Sequence, residues 1–254
     1  MRLLLLILML GTTLAVDAQV EQGSGSILIQ GKPVKVGDKL KLARKRFYLF
    51  SGGLKENGPL LERIRTAEIT SRDCYYTQIK ASPGFMCWLQ QENCEGPFCR
   101  KVNEADVPAV PEFNIAYKKG LAVYHGKNDL ALSWLLDNLD NTLVTGYYRQ
   151  QQSIVDKVLG GIKPLQTTMA TITAAEAYFV DVAIAAKPAK YLVSTILPVE
   201  IGGKSYVWTC EVTDLGPNKF ISKLPLSLDP KAKKNCEVTI RDVQVCKTGA
   251  CPAK

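Results

Sequence analysis

The chain has 254 residues, with 32 Lys and Arg against 24 Asp and Glu, so its formal net charge is +8. This length is enough for a sizeable hydrophobic core and one or two domains. Beyond the first residues no apolar run is long enough to cross a bilayer, which predicts a soluble mature protein.

Residues 1–18 have the features of a secretory signal peptide. Arg2 supplies a positive start, Leu3–Leu10 is an unbroken apolar run, and Val16 and Ala18 are the small residues that precede a cleavage site. The sequence therefore predicts a secreted or periplasmic protein. It contains no Asn-x-Ser/Thr sequon, which favours a bacterial over a eukaryotic secretory pathway.

Residues 26–53 predict the first strands of a β-domain. A short apolar run, Ile27–Ile29, precedes turns that contain Gly and Pro, and a fully apolar run, Phe47–Phe50, follows. The stretch between these runs is strongly basic. Its candidate anion-binding residues are Lys32, Lys35, Lys39, Lys41, Arg44, Lys45 and Arg46.

Two interpretations of this basic stretch stay open. Its lysines and arginines are expected either to form a solvated strand face that discourages edge aggregation or to form an anion-binding ribbon. A net charge of +8 favours encounters with anionic polysaccharide or a membrane surface.

Residues 54–163 predict a mostly helical module. Helix starts are expected at Asn57, which is followed by Pro59, and at Ser71 and Ser82. Asn128 is expected to cap "DLALSWLLDNL", which is apolar on most sides and so predicts a buried helix.

Residues 164–254 return to a β pattern. "KYLVSTILPVEI" predicts one strand, and Gly202-Gly203 predicts a hairpin between it and "KSYVWTCEVT". The last helix before this segment is expected to end at Gly160 or Gly161. The fold class predicted is α+β: an antiparallel β-sandwich built from the N- and C-terminal segments, with a mostly helical, disulfide-stapled insertion.

The even number of cysteines in an exported chain predicts disulfides rather than metal ligands, since metal-site and redox spacings are absent. The cysteines are Cys74, Cys87, Cys94, Cys99, Cys210, Cys236, Cys246 and Cys251. Inward-facing positions on two core strands predict Cys210–Cys236 as a bond across the β-sandwich, with Cys246–Cys251 as a terminal loop. The first four permit three connectivities, of which Cys74–Cys87 with Cys94–Cys99 is one.

The stretch Thr171–Thr195, with Tyr178–Val180 and Tyr191–Val193 in its two expected strands, resembles part of the carboxypeptidase-regulatory-like, transthyretin-like β-sandwich modules. "ILIQGKPVKVGDKL" is similar to the first strand of such a module. The resemblance implies a non-catalytic β-sandwich that serves as a spacer, a scaffold or a carbohydrate-binding unit.

Catalytic patterns are few, and no cofactor or metal is predicted. His125, the one histidine, is expected at an exposed helix end, and no nucleophile elbow accompanies it. Carboxylate pairs that a hydrolase could use are Asp137 with Asp140, and Glu176 with Asp181. The aromatic residues predict either core packing or a sugar-stacking platform: Tyr75, Tyr76, Trp88, Tyr147 and Tyr148.

The main hypothesis is an exported, non-catalytic binding or scaffolding protein that acts on anionic glycan or lipid surfaces. A protein partner stays open as well, whereas an exported protein seldom meets nucleic acid. The alternative hypothesis is a secreted hydrolase that depends on carboxylates.

Overall fold

The computed structural model describes residues 24–31, 33–35, 38–39, 42, 45–92, 94–170, 176–183, 190–201, 204–213, 215, 221–229, 236–243, 246 and 251; the side chains of 33–35, 38–39, 99 and 183 are outside this description. The predicted signal peptide lies outside the described residues.

The strands are β1 (Ser24–Gly31), β2 (Pro33–Lys35), β3 (Asp38–Lys39), β4 (Arg46–Ser51), β5 (Gln166–Met169), β6 (Glu176–Ala183), β7 (Tyr191–Ser194), β8 (Val199–Ile201), β9 (Lys204–Val212), β10 (Ile221–Leu226) and β11 (Cys236–Arg241). The helices are α1 (Gly58–Thr66), α2 (Arg72–Gln78), α3 (Pro83–Gln91), α4 (Asp106–Ala109), α5 (Pro111–Val123), α6 (Asn128–Ser133) and α7 (Tyr147–Leu159). Shorter helical segments are the 3₁₀ turns Pro97–Cys99 and Leu135–Asn138 and the π-helix Thr142–Gly146. The predicted mixture of strands and helices is confirmed.

Two main sheets form from these strands. The first has the order β10-β1-β6, and the second has the order β11-β9-β7-β4-β5, with β8 also paired to β9. The pairing of β1 with β10 is parallel, so the prediction of a wholly antiparallel arrangement is wrong at this pair. The reason is topological: most of the chain separates these two strands, so no tight turn forces them to run in opposite directions.

The two sheets share one hydrophobic cluster. Ile29, Phe179 and Leu224 from the three-stranded sheet belong to the same buried group as Val193 and Trp208 from the six-stranded sheet. In β9 the predicted alternation is confirmed, because Tyr206, Trp208, Cys210 and Val212 lie in this cluster.

The run Phe47–Phe50 in β4 is apolar because both of its faces are buried. Phe47 and Leu49 lie in the cluster between the sheets, whereas Tyr48 and Phe50 pack in another cluster with α1 and α7. Successive strand residues point to opposite faces, so a strand covered on both sides needs a continuous apolar run.

The helical module connects two neighbouring strands. β4 and β5 pair antiparallel with Leu49 opposite Gln166, and the Leu165 N–H donates to the Leu49 carbonyl at 2.7 Å. All the described α-helices lie between these strands in sequence. The module therefore leaves and rejoins the sheet at adjacent strand ends, like a very long hairpin loop.

The helices α2, α3 and α5 and the residues around α7 surround a separate core that is rich in aromatic side chains. The predicted starts of α2 and α3 are confirmed, since the Ser71 and Ser82 hydroxyls accept hydrogen bonds from the N–H groups of Cys74 and Phe85. α7 ends at Gly160 in a left-handed conformation, as expected.

Two helix and strand predictions need correction. α6 has Lys127, not Asn128, at its N-cap, and it is not buried all round because Leu130 and Trp134 are exposed. The segment predicted as one strand is divided into β7 and β8 by a turn at 195–198, since Pro198 and a positive φ at Ile196 interrupt the ladder. β8 and β9 do form the predicted hairpin, with Ile201 opposite Lys204.

Three disulfides are described. The predicted pair Cys210–Cys236 is confirmed. Its predicted position across the sandwich is wrong, because the bond joins directly opposed residues of β9 and β11, which are neighbouring strands of one sheet. Cys74–Cys246 and Cys87–Cys251 join the C-terminal segment to α2 and α3.

The predicted bonds Cys246–Cys251 and Cys74–Cys87 are therefore wrong. The reason is spatial, because Cys246 and Cys251 each lie beside a cysteine of the helical module. Cys94 is disulfide-bonded, but its predicted pairing with Cys99 involves a side chain outside the description.

None of the helices in the described ranges combines the length and the apolar character that a membrane span requires.

The two long-range disulfides should stabilise the protein non-additively. The first to form closes a loop of 172 residues, which is worth about 5 kcal/mol in the chain-entropy model. The second then closes a ring of only about 20 residues, worth about 3 kcal/mol. We expect Cys74→Ala/Cys246→Ala and Cys87→Ala/Cys251→Ala each to lower the free energy of unfolding by about 3 kcal/mol, and the fourfold variant by about 8 kcal/mol.

Urea unfolding of the wild type and the three variants measures these differences. A fourfold variant that costs only the sum of the two pairs would contradict the loop-closure explanation.

Candidate functional site

The basic stretch contributes two described side chains to a pocket. Lys45 is only 4% exposed and forms an ion pair with Glu95, so it does not lie on a solvated face. Arg46 at the start of β4 is half-buried, and its Nη1 donates to Gln152 Oε1 at 2.7 Å. The remaining candidates are not described at the side chain: Lys32, Lys41 and Arg44 lie outside the described residues, and Lys35 and Lys39 are described only in their backbone.

The pocket lies where β4, β5, α7, the turn after β7 and the residue after Cys94 meet. Its interior volume is about 60 Å³, and it opens to solvent. Lys45, Arg46 and Glu95 are its charged residues. Gln151, Gln152 and Thr195 are its uncharged polar residues, and aromatic and aliphatic side chains form the rest of its wall.

One wall is a strained turn. Ile196 has φ = 60°, a left-handed conformation that is rare for a β-branched residue. The Leu197 N–H donates to the Thr195 carbonyl at 2.6 Å, which closes a γ-turn around Ile196. The Ile196 N–H donates to the Ser194 hydroxyl. Strained backbone of this kind persists where the surroundings enforce it, and it is concentrated at functional sites.

Another wall is formed by α7, which follows directly after the π-helix Thr142–Gly146. The hydroxyls of Tyr75 and Tyr76 donate to the carbonyls of Thr142 and Leu143, at 2.8 and 3.2 Å. π-Helices are rare, and they often occur at functional sites. This one brings Tyr148 of α7 into the pocket wall.

Two glycines permit this arrangement. A Cβ on Gly146 would overlap with the Tyr75 hydroxyl, and a Cβ on Gly96 would lie 2.7 Å from the Tyr148 hydroxyl. Glycine at these positions therefore lets the two tyrosine hydroxyls approach the backbone closely.

The pocket also contains a buried donor. Gln151 lines the pocket, and its Nε2 is buried without a hydrogen-bond partner among the described residues. A buried amide N–H without an acceptor costs about 1–3 kcal/mol. A turn of this side chain that exposes the N–H to an acceptor in the pocket would recover that cost.

A buried charge cluster holds the segment that carries Glu95. Arg72 Nη1 donates to the Cys94 carbonyl at 2.7 Å, and Arg72 Nε donates to Asp73 Oδ1 at 2.8 Å. The Arg72 backbone N–H donates to Glu200 Oε1 of β8 at 2.9 Å. The cluster thus connects α2, the Cys94 segment and the six-stranded sheet.

Burial dominates the electrostatics of this cluster. It raises the pKa of the Glu200 carboxyl, although Arg72 opposes the shift. It also raises the pKa of the Tyr147 hydroxyl well above its ordinary value, with Glu95 and Glu200 adding to the effect. The phenol is therefore a neutral hydrogen-bonding group and not a base.

Four of the five aromatic candidates have the core role that one interpretation expected. Tyr75, Tyr76, Trp88 and Tyr147 are buried in the helical core, whereas Tyr148 is half-buried. Tyr147 and Tyr148 both line the pocket, and Tyr148 is the more exposed of the two.

The candidate catalytic residues are dispersed. His125 is exposed just after α5, as expected. Asp140 is exposed, and hydrogen bonds from Thr142 hold its pKa below the ordinary value, which is opposite to the shift that a general acid needs. Glu176 accepts hydrogen bonds from Gln30 and Tyr178. Across the described residues no three His, Cys, Asp or Glu side chains are grouped as metal ligands would be.

Sequence reasoning did not identify Glu95, Gln151, Arg72 or Glu200. Glu95 had a weak signal because it lies inside "CEGPFC", and Gln151 had one because "RQQQ" is polar on a helix that packs against the sheet. Arg72 and Glu200 are far apart in sequence and carry no motif, so only the fold brings them together.

Comparisons with protein-family models, curated proteins and solved structures give no significant match for this chain. The site must therefore be interpreted from its own chemistry.

A methyl group at Gly146 should disrupt the contact between Tyr75 and the π-helix. We expect Gly146→Ala to lower the free energy of unfolding by about 1–3 kcal/mol, since the added Cβ displaces Tyr75. Tyr75→Phe removes the overlapping oxygen, so the double variant should lose less than the sum of the two single variants. Gly58→Ala is the control, because a Cβ there meets nothing within 4 Å. Additive losses in urea unfolding would contradict the proposed contact.

Glu200 and Asp106 should give opposite pH dependences of stability. The folded pKa of Glu200 is raised, so the stability it contributes is present below its unfolded pKa and is lost as pH rises through the folded pKa. Glu200→Gln should therefore become more stable relative to the wild type as the pH rises from about 4 to 7.

Asp106 is the matched control. Burial would raise its pKa, but hydrogen bonds from Arg100 and the Asn103 N–H hold the pKa below its ordinary value. Its contribution is therefore lost as pH falls, so Asp106→Asn should cost about 1–2 kcal/mol near pH 7 and less in acid. Urea unfolding of both variants and the wild type across this pH range checks the two expectations. If the stability differences of the two variants changed with pH in the same direction, the opposite pKa shifts of Glu200 and Asp106 would be refuted.

Proposed function

We propose that this chain is an exported, non-catalytic binding or scaffolding protein whose two sheets form a β-sandwich. It acts in the cell envelope or outside the cell, on anionic glycan or lipid surfaces. Residues 1–18 direct its export, and the mature protein begins after Ala18.

The observation that carries this proposal is the pair of disulfides between the C-terminal segment and the helical module. Cys74–Cys246 and Cys87–Cys251 span 172 and 164 residues. Disulfides persist in oxidising compartments such as the periplasm and the extracellular space. Bonds of this span hold the helices against the end of the chain, which favours a rigid framework over a mobile catalytic one.

The charge of the chain favours an anionic partner. Its net charge is +8, and Arg46 is a partly exposed cation that lines the pocket. Long-range attraction between a basic protein and an anionic surface raises the rate and strength of encounter.

The resemblance to carboxypeptidase-regulatory-like modules, whose usual roles are spacing, scaffolding and carbohydrate binding, is consistent with this function and stays a prediction. Its two segments lie in β6 and β7, which belong to different sheets. No specific observation favours the hydrolase alternative, since none of the carboxylate pairs lines the pocket.

Binding measurements with the oxidised mature protein test this function. Acidic polysaccharides and anionic vesicles are compared with their neutral counterparts at low and high salt. We expect binding to an acidic ligand that weakens as salt rises, because the screening length falls from about 10 Å at 0.1 M to about 3 Å at 1 M salt.

The control is the same protein after reduction and alkylation, which removes the covalent framework. It should bind more weakly if the framework presents the binding surface. Absence of binding to every acidic ligand at low salt would refute the proposal.

A further inference from the structure

The pocket between β4 and α7 has an excess of one positive charge. Lys45 and Glu95 form an ion pair and neutralise each other, while Arg46 has no acidic partner among the described pocket residues. Arg46 Nη1 donates to Gln152 Oε1. A guanidinium has five N–H donors, so Arg46 retains donors for a ligand.

The polar groups of the pocket favour a ligand that carries hydrogen-bond acceptors. Gln151 Nε2 is a buried donor without a described acceptor, and it lies in the same pocket as Arg46. A planar carboxylate offers two acceptor oxygens, and bonds between a guanidinium and a carboxylate are stronger than neutral hydrogen bonds.

The volume limits what can enter. The interior volume of about 60 Å³ is less than half of the roughly 150 Å³ that accommodates a benzene ring. A six-membered sugar ring therefore cannot lie wholly inside. A carboxylate can enter, while the ring that carries it stays at the mouth.

The mouth suits such a ring. The half-buried Tyr148 offers an amphipathic aromatic surface, and Leu197 and Pro198 of the strained turn extend it with aliphatic carbon. Pockets of this type combine apolar walls with a few placed polar groups that fix orientation.

We propose that this pocket binds a uronate residue of an acidic polysaccharide, with the carboxylate directed to Arg46 and the sugar ring against Tyr148. The Gln151 side chain, whose Nε2 is buried in the free protein, turns to donate to the carboxylate. This inference rests on the proposed function, to which it adds a site and a ligand class. Glu95 remains paired with Lys45 and does not oppose the incoming carboxylate.

The test uses the oxidised mature protein and a short oligouronate, measured by titration calorimetry. The matched control ligand is its methyl ester, which has the same rings without the charge. We expect the ester to bind about tenfold more weakly or worse. Inorganic phosphate and phosphatidylglycerol vesicles are the competing anions, and they should bind no better than the ester.

Protein variants separate the pocket from general charge attraction. Arg46→Gln and Gln151→Leu should each weaken oligouronate binding about tenfold. Arg65→Gln is the charge-matched control, since Arg65 is exposed on α1 and does not line this pocket. It should change binding by less than about twofold. Thermal unfolding of each variant establishes whether it is folded. If Gln151→Leu does not fold, the comparison of Arg46→Gln with the wild type still tests the pocket.

The possible results distinguish a failure of the uronate pocket from a failure of the proposed binding function. If the protein binds acidic polysaccharide but Arg46→Gln and Arg65→Gln weaken it equally, the pocket assignment is overturned and the function stands. If phosphate or vesicles bind as well as the oligouronate in an Arg46-dependent way, the uronate assignment is overturned. If the wild type binds no acidic ligand, both fail.

Discussion

The buried guanidinium of Arg72 connects three parts of the fold on which the pocket depends. It donates to the Cys94 carbonyl, pairs with Asp73 in α2 and lies beside Glu200 of β8. A buried charge is costly unless its partners satisfy it, so the helical module must dock on the sheet in one orientation for these contacts to form. The residue after Cys94 is Glu95, and its position opposite Lys45 follows from that docking.

The covalent framework reaches the same junction. Gln90 donates to the second oxygen of Asp73, and its side-chain oxygen lies 2.8 Å from the Cys251 sulfur. The disulfide at Cys251 and the ion pair at Arg72 thus share a neighbour. The two kinds of contact act differently. The disulfides destabilise the unfolded chain, whereas the charge cluster selects one orientation of the helical module on the sheet in the folded chain.

Local signals in the sequence predicted the local structure well. Ser71 and Ser82 begin helices, β9 alternates as expected, and Cys210–Cys236 follows from two strands whose inward faces carry the cysteines. The tail disulfides could not be predicted, since cysteine spacing along the chain says nothing about which surfaces dock. The burial of Lys45 was missed for the same reason, because its partner Glu95 belongs to the helical module and not to the basic stretch.

Two departures from regular backbone lie beside the pocket: the γ-turn at Ile196 forms part of one wall, and the π-helix precedes α7, which forms another. Gln151 of α7 lines the same pocket. Positive φ angles also occur away from the pocket, at Lys80, His125 and Asp181. A left-handed non-glycine residue costs on the order of 1–3 kcal/mol, and sequences selected only for stability would remove it. Folds are otherwise locally consistent, so a strained turn that the surrounding structure must enforce is typical of a site with a requirement beyond folding. The ligand binding proposed for this pocket is such a requirement, and it would act where the sheet, the helices and the Cys94 segment meet.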